Sequence, residues 1–342
     1  MRLLVTGAAG FIGSHFCRLV LETRHDDFVV GLDALTYSGN LSTTEDLRKN
    51  PRFRFAPGRI EEPTVVRGLI QEFGITHIVN FAAETHNDRS VLDASSFLKT
   101  NALGVEHLLN ATRQYGLVRM LHVSTDEVYG SILSGQFTEE SPLEPNTPYS
   151  ASKAAGDLQC RSHWITHRTP IIVTRGGNTY GPFQYPEKLI PFFLSRLIDG
   201  KKVPVYGDGS QIREWIHARD HASGILHALL HGTDGEIYNV GDKNLRRNME
   251  VVQTLLAGTS RSSELVKHIP DPRGAAHDAR YSMTTSKLCN LGWEPKVDFQ
   301  VGLRDTVEWY INNEDWWRPI TRTAVYSDFI AQYYGPALGN DL

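Results

Sequence analysis

The chain has 342 residues, of which 40% are hydrophobic and 22% charged, with a formal net charge of −4. That composition suits a soluble globular enzyme with room for one large α/β unit or two lobes, and with no basic run it gives nucleic acid or anionic membrane no electrostatic foothold. No apolar run approaches the ~18–20 residues that span a bilayer. The dispersed Cys17, Cys160 and Cys289 fit neither a metal-ligand spacing nor a disulfide framework.

Leu3–Thr6 reads as a first buried strand and runs straight into Gly7-Ala8-Ala9-Gly10-Phe11-Ile12-Gly13, with no signal peptide before it. A reducing, cytoplasmic setting is therefore expected. The glycines let backbone approach a pyrophosphate, and the helix predicted over Phe11–Leu21 presents free N–H groups to it. Phe28–Leu32 is the next strand, and Asp33 at its end stands 20 residues after Gly13, where a carboxylate accepts bonds from an adenosine ribose. That charge repels a 2′-phosphate, and Ala34 and Leu35 supply no cation, so NAD is expected rather than NADP. A plain strand–helix turn is the bland alternative.

Further strands are predicted at Ile75–Phe81, Met120–Ser124 and Ile171–Thr174, and helices at Thr64–Phe73 and Ala102–Tyr115. This alternation predicts an α/β fold, a doubly wound parallel (Rossmann) sheet, over residues 1–176. Beyond it, Pro and Gly punctuation marks a smaller substrate-binding lobe over 177–342, with segments returning to the first part. Helices are expected there at Glu187–Ile198 and Val301–Tyr310. Trp316 and Trp317 are expected to pack the C-terminal helix, and His15, His163 and His167 to lie on polar helix faces.

Two patterns carry chemistry. Tyr149 and Lys153, four apart on a helix, share a face. An ammonium beside a phenol favours phenolate and would let Tyr149 take a proton from a sugar hydroxyl. Asp126 and Glu127 are adjacent acids whose repulsion can leave one as acid and the other as base. A solvated strand end is the alternative for that pair.

These segments resemble the extended short-chain dehydrogenases, and most closely the dTDP-glucose 4,6-dehydratases. The likeness spans nearly the whole chain, through Asp33–Asn40, Phe81–Ser90, Ser124–Gly130, Pro148–Lys153, Asn178–Pro182, Pro186–Pro191 and Gly207–His221. It implies an NAD-dependent lyase that oxidises C4, eliminates water across C5 and C6, and returns hydride to C6. Tyr149 would be the C4 base, Lys153 would hold the nicotinamide ribose, and Ser124 or Thr125 would bind the C4 oxygen. Glu127 would take the C5 proton and Asp126 would protonate the 6-hydroxyl.

Cofactor positions implied by the resemblance include Gly7, Gly10, Phe11, Ile12, Gly13, Asp33, Ala34, Leu35 and Thr36. Ile60, Ala82, Ala83, Glu84, Thr100, Ser124 and Thr179 complete them, with Tyr149 and Lys153. Substrate positions are Thr85, Thr125, Asn178, Lys188, Leu189, Tyr206, Arg213, Asn248, Arg273 and His277. No metal is implied. A homodimer is, through helices Ala102–Tyr115 and Ser152–His167. A C4 epimerase of the same fold is the nearest alternative, and a non-catalytic NAD-binding scaffold a more distant one. The chain departs from the family pattern at Arg59, Asn87, Gly176, Gly177, Thr179, Arg219 and Asp271–His277. Open space at Gly176 and Gly177 and new polar groups at Asn87 and Arg219 predict a shifted nucleotide or sugar preference.

Overall fold

The structure, a computed structural model, describes residues 1–271 and 280–341. Arg273 and His277 therefore lie outside the described residues. Six strands, β1 (Arg2–Thr6), β2 (Phe28–Asp33), β3 (Phe53–Pro57), β4 (His77–Asn80), β5 (Arg119–Thr125) and β6 (Ile171–Gly176), pair in parallel. Strand Ile237–Val240 adds to the far edge of β6, so the order across the sheet is Ile237–Val240, β6, β5, β4, β1, β2, β3.

Both faces of the sheet are covered, which is why its strands read as continuous apolar runs. Leu3 and Val5 face helices Phe11–Thr23 and Ala218–His231 through Phe16, Val20, Ile225 and Leu229. Leu4 faces the opposite layer, with Val66 of helix Pro63–Phe73, Leu108 of Val105–Gln114 and Cys160 of Pro148–His167. The predicted helix Ala102–Tyr115 has a different start: a π-helical turn, Lys99–Gly104, precedes it. The wide turn lets the buried Asn101 amide bond both the N–H and the carbonyl of Glu84 at 2.9 Å and the Ser152 hydroxyl at 2.8 Å.

The remaining chain has its own core, containing Phe192, Leu197, Trp215, Leu255, Leu303, Tyr310 and Trp317. A three-stranded sheet (Leu245–Arg247, Ile212–His217, Asn178–Tyr180) and a parallel pair (Val203–Tyr206, Val266–Ile269) stand with helices Leu189–Ile198 and Phe299–Asn312. Trp316 donates to the Thr43 hydroxyl at 3.2 Å, tying the C-terminal helices to the first half. His163 meets the Glu106 carboxylate at 3.1 Å, joining two helices. Cys17, Cys160 and Cys289 are all unpaired. Among the described residues no helix is long and apolar enough to cross a membrane, and no cluster suits a metal.

Candidate active site

The strand order reverses between β1 and β4, and both strands end on one long cavity, the usual ligand position in doubly wound sheets. Gly7, Gly10, Phe11, Ile12 and Gly13 line it. At Gly7, where φ is +68°, a Cβ would lie 2.8 Å from the Ala82 nitrogen; at Gly13 it would lie 2.3 Å from the Gly7 carbonyl oxygen. Gly10 caps the following helix without a side-chain bond, so the first-turn N–H groups are available to an anion.

Asp33 Oδ2 accepts from the Ala9 N–H at 2.9 Å and Oδ1 from the Leu35 N–H at 2.8 Å. Burial raises its pKa, and these bonds oppose the rise. Ala34, Thr36 and Ile60 line this end of the cavity, as do Ala82, Ala83, Glu84 and Thr100. The Thr100 hydroxyl donates to Glu61 at 2.6 Å. Leu35 departs from expectation: its side chain is exposed and off the cavity lining, and only its N–H serves the site. A positive φ of 49° at Leu35 directs the chain outward there. Tight glycine backbone, a free helix N-terminus and an acid at the end of β2 fit a dinucleotide.

Tyr149 and Lys153 sit on helix Pro148–His167, started by a reciprocal cap in which Thr147 Oγ1 accepts the Ser150 N–H and Ser150 Oγ accepts the Thr147 N–H. Both side chains are buried. Lys153 Nζ donates to the Val123 carbonyl at 2.7 Å, and burial lowers its pKa to about 8, opposed by Asp157. The expected lowering of the Tyr149 pKa by Lys153 is not found. Burial, then the Glu127 charge, raises it above the ordinary value, while a bond with the Thr125 hydroxyl opposes. Burial, with Glu127 and Asp126 adding to it, thus favours the neutral phenol of Tyr149 in the protein alone. Beneath Lys153, Asp157 accepts from Arg175 Nε at 2.9 Å.

Strand β5 ends in the acids. Thr125 caps the turn Asp126–Tyr129 by accepting the Glu127 N–H at 3.3 Å. Burial, reinforced by Glu127 and Glu214, holds the Asp126 pKa well above the ordinary carboxylate range, which suits Asp126 to a proton donor's part. Asp126 Oδ2 and Ser124 Oγ are buried without a hydrogen-bond partner among the described residues. Glu127 is half-buried on the cavity, and its Oε2 accepts from Asn87 Nδ2 at 2.6 Å. A solvated strand end is excluded.

Thr85, Asn178, Lys188, Leu189, Tyr206, Arg213 and Asn248 line the far half of the same cavity. Lys188 donates to the Thr85 carbonyl at 2.7 Å, and the Tyr206 hydroxyl to that of Tyr334 at 3.0 Å. Arg213 is buried, with its guanidinium 4.5 Å from the Tyr281 ring centroid, which makes it a cavity group rather than a surface charge.

Several departures from the family pattern are matched inside the protein, while most of Asp271–His277 lies outside the described residues. The space expected at Gly176 is filled by His221: a Cβ there would lie 2.3 Å from the imidazole. His221 Nδ1 bonds the Thr179 hydroxyl at 2.7 Å, and burial lowers its pKa to about 4. Arg219 is exposed and pairs with Glu22 at 3.2 Å. Asn87, His221 and Tyr281 line the cavity although none of them was among the expected site residues. Asn87 stood out only as a polar departure, and the partners of all three come from distant segments.

The fold and cavity define a nucleotide-binding enzyme of the short-chain dehydrogenase class. A family model described as GDP-mannose 4,6 dehydratase matches residues 4–306, and the chain belongs to that family. A dTDP-glucose 4,6-dehydratase of Streptomyces niveus is 46% identical over 325 residues, covering 94% of this chain and 96% of that one. The solved dTDP-glucose 4,6-dehydratase DesIV of Streptomyces venezuelae, with NAD and TYD bound, is 46% identical with a TM-score of 0.90, covering 94% and 100% of the two chains. A UDP-glucose 4-epimerase of Thermus thermophilus in complex with NAD is 30% identical with a TM-score of 0.84, covering 92% and 100%.

Proposed function

We propose that the protein is an NAD-dependent nucleotide-sugar 4,6-dehydratase, a lyase that converts dTDP-glucose to its 4-keto-6-deoxy product with loss of water. The observation that carries this is a buried Asp126, its Oδ2 without a hydrogen-bond partner among the described residues, beside Glu127 in one cavity with Tyr149 and Lys153. An epimerase needs the tyrosine but not an acid–base pair of carboxyls.

Ser124 and Thr125 hold the C4 oxygen, and Tyr149 takes the proton of the sugar 4-hydroxyl. NAD held by the glycine loop and Asp33 would supply the hydride acceptor for C4 and donor for C6, and its positive charge would favour the Tyr149 phenolate. Lys153 would hold the nicotinamide ribose. Glu127 then removes the C5 proton, made acidic by the 4-ketone, Asp126 gives its proton to the 6-hydroxyl, which departs as water, and the Glu127 carboxyl returns a proton to C5 as hydride reaches C6. Asn178, Lys188, Leu189, Arg213 and Asn248 bind the nucleotide diphosphate; Arg213 suits it through two parallel donors. The partners found inside the protein for Asn87, Gly176, Thr179 and Arg219 support dTDP-glucose over a shifted substrate.

The reading assigns residues 1–176 to the nucleotide and 177–342 mainly to the sugar nucleotide. It includes a homodimer, supported by apolar side chains 49–56% exposed on adjoining helical segments: Leu98, Leu103, Leu158 and Ile165. Three unpaired cysteines support a reducing cytoplasm.

The test is to incubate purified enzyme with dTDP-, UDP-, CDP- and GDP-hexoses and weigh the products. Loss of one water, fastest with dTDP-glucose, is expected. Unchanged mass with altered stereochemistry would make it an epimerase.

A further inference from the structure

We propose that Asn87 is a positioning residue that aims the Glu127 carboxylate at the C5 proton, a reading that rests on Glu127 as the C5 base. Asn87 opens the short helix Asn87–Leu92 on the cavity wall. Its Nδ2 donates to Glu127 Oε2 at 2.6 Å, and its Oδ1 accepts from Thr147 Oγ1 at 2.8 Å.

The amide orientation follows from its neighbours. Reversing it would set Oδ1 against a carboxylate oxygen, two acceptors at bonding distance. Thr147 Oγ1 already accepts the Ser150 N–H at 3.1 Å, so its own proton is available to Asn87. Each end of the amide is therefore engaged, one by the base and one by the cap of the helix that carries Tyr149 and Lys153.

Glu127 is the less enclosed of the two acids. Asp126 is 4% exposed and fixed at the end of β5, whereas Glu127 projects half-buried into the cavity. A flexible carboxylate there has several rotamers, and a single strong donor selects one. Because Asn87 is anchored on the Thr147 cap, the C5 base is referenced to the same helix as the C4 base. Two proton transfers on adjacent sugar carbons need that common frame, since a misplacement of about 1 Å can cost about a hundredfold in rate.

The experiment uses full-length enzyme with dTDP-glucose deuterated at C5 or at C4, in Asn87→Val, the near-isosteric Asn87→Asp, and Glu127→Gln. Asn87→Val is expected to lower kcat about tenfold to a hundredfold with KM changed less than about threefold. The C5 isotope effect on kcat should rise while the C4 effect falls, and a crystal structure should show the Glu127 carboxylate displaced. Asn87→Asp, which sets a second carboxyl against Glu127, should lose at least as much. A merely structural role would lower activity without moving the isotope effects. Unchanged isotope effects in both Asn87 variants would overturn the proposal. If Glu127→Gln still exchanged C5 hydrogen with solvent at the normal rate, Glu127 would not be the base, and the proposal would fall with that reading. Loss of exchange in Glu127→Gln with wild-type kinetics in Asn87→Val would overturn the positioning role alone.

Discussion

Asp157→Asn preserves side-chain shape while removing the charge beside Arg175. The two groups meet at 2.9 Å, with side chains 2% and 3% exposed, and the Arg175 guanidinium lies 4.7 Å from the Tyr129 ring centroid. Arginine cannot shed its charge to escape. Removing one partner of a buried pair costs about 3–5 kcal/mol. The Asn oxygen and the Tyr129 face still receive the cation, which places the cost near about 3 kcal/mol. Urea unfolding should read this as a lowered midpoint with an unchanged slope. The double variant Asp157→Leu/Arg175→Met should recover at least half of the loss, since it leaves no charge unpaired. Asp157 also opposes the lowering of the Lys153 pKa, so Asp157→Asn should bring that value further below about 8 and move the alkaline limb of kcat to lower pH. A stability cost under about 1 kcal/mol, or a limb moved to higher pH, would refute this account of the buried network.

Tyr149→Phe should bind NAD within a few-fold of wild type by titration yet lose about a hundredfold or more in turnover; near-normal turnover would remove Tyr149 from the C4 step. Asp126 has a raised folded pKa, so its ionisation penalises the folded state, and stability falls as pH rises from about 4 through the folded value. Asp126→Asn should melt above wild type at pH 8, with the difference vanishing toward pH 4, and should make no dehydrated product; a variant less stable at pH 8 would contradict the sign. Gly13→Ala should abolish NAD binding, because the added Cβ falls 2.3 Å from the Gly7 carbonyl oxygen, and fluorescence titration showing normal affinity would refute the cradle.

Much of the site was legible because it depends on local rules. The glycine loop, Asp33 and the Tyr149/Lys153 spacing each lie within one strand–turn–helix or one helix, where periodicity and glycine sterics suffice. Two sheet edges were not. β3, Phe53–Pro57, sets Arg54 between two phenylalanines, and Ile237–Val240 is four residues long; edge strands carry weak apolar signals. The π-helical turn was also unreadable, because Asn101 earns its place through Glu84 and Ser152, 17 and 51 residues away.

Sequence alone marked the glycine cradle, the Asp126/Glu127 pair and the Tyr149/Lys153 pair, since those follow from residue type and short spacing, while the resemblance implied the part of each. Tertiary structure decided their states and partners. Burial and converging acids raise the pKa values of Tyr149 and Asp126. Folding placed His221 where open space was expected and brought Asn87, 40 residues from Glu127 in the chain, onto its carboxylate. A pKa or a hydrogen-bond partner is set by whatever surrounds the group in three dimensions, and residues that meet only through the sheet leave no mark on the spacing between them.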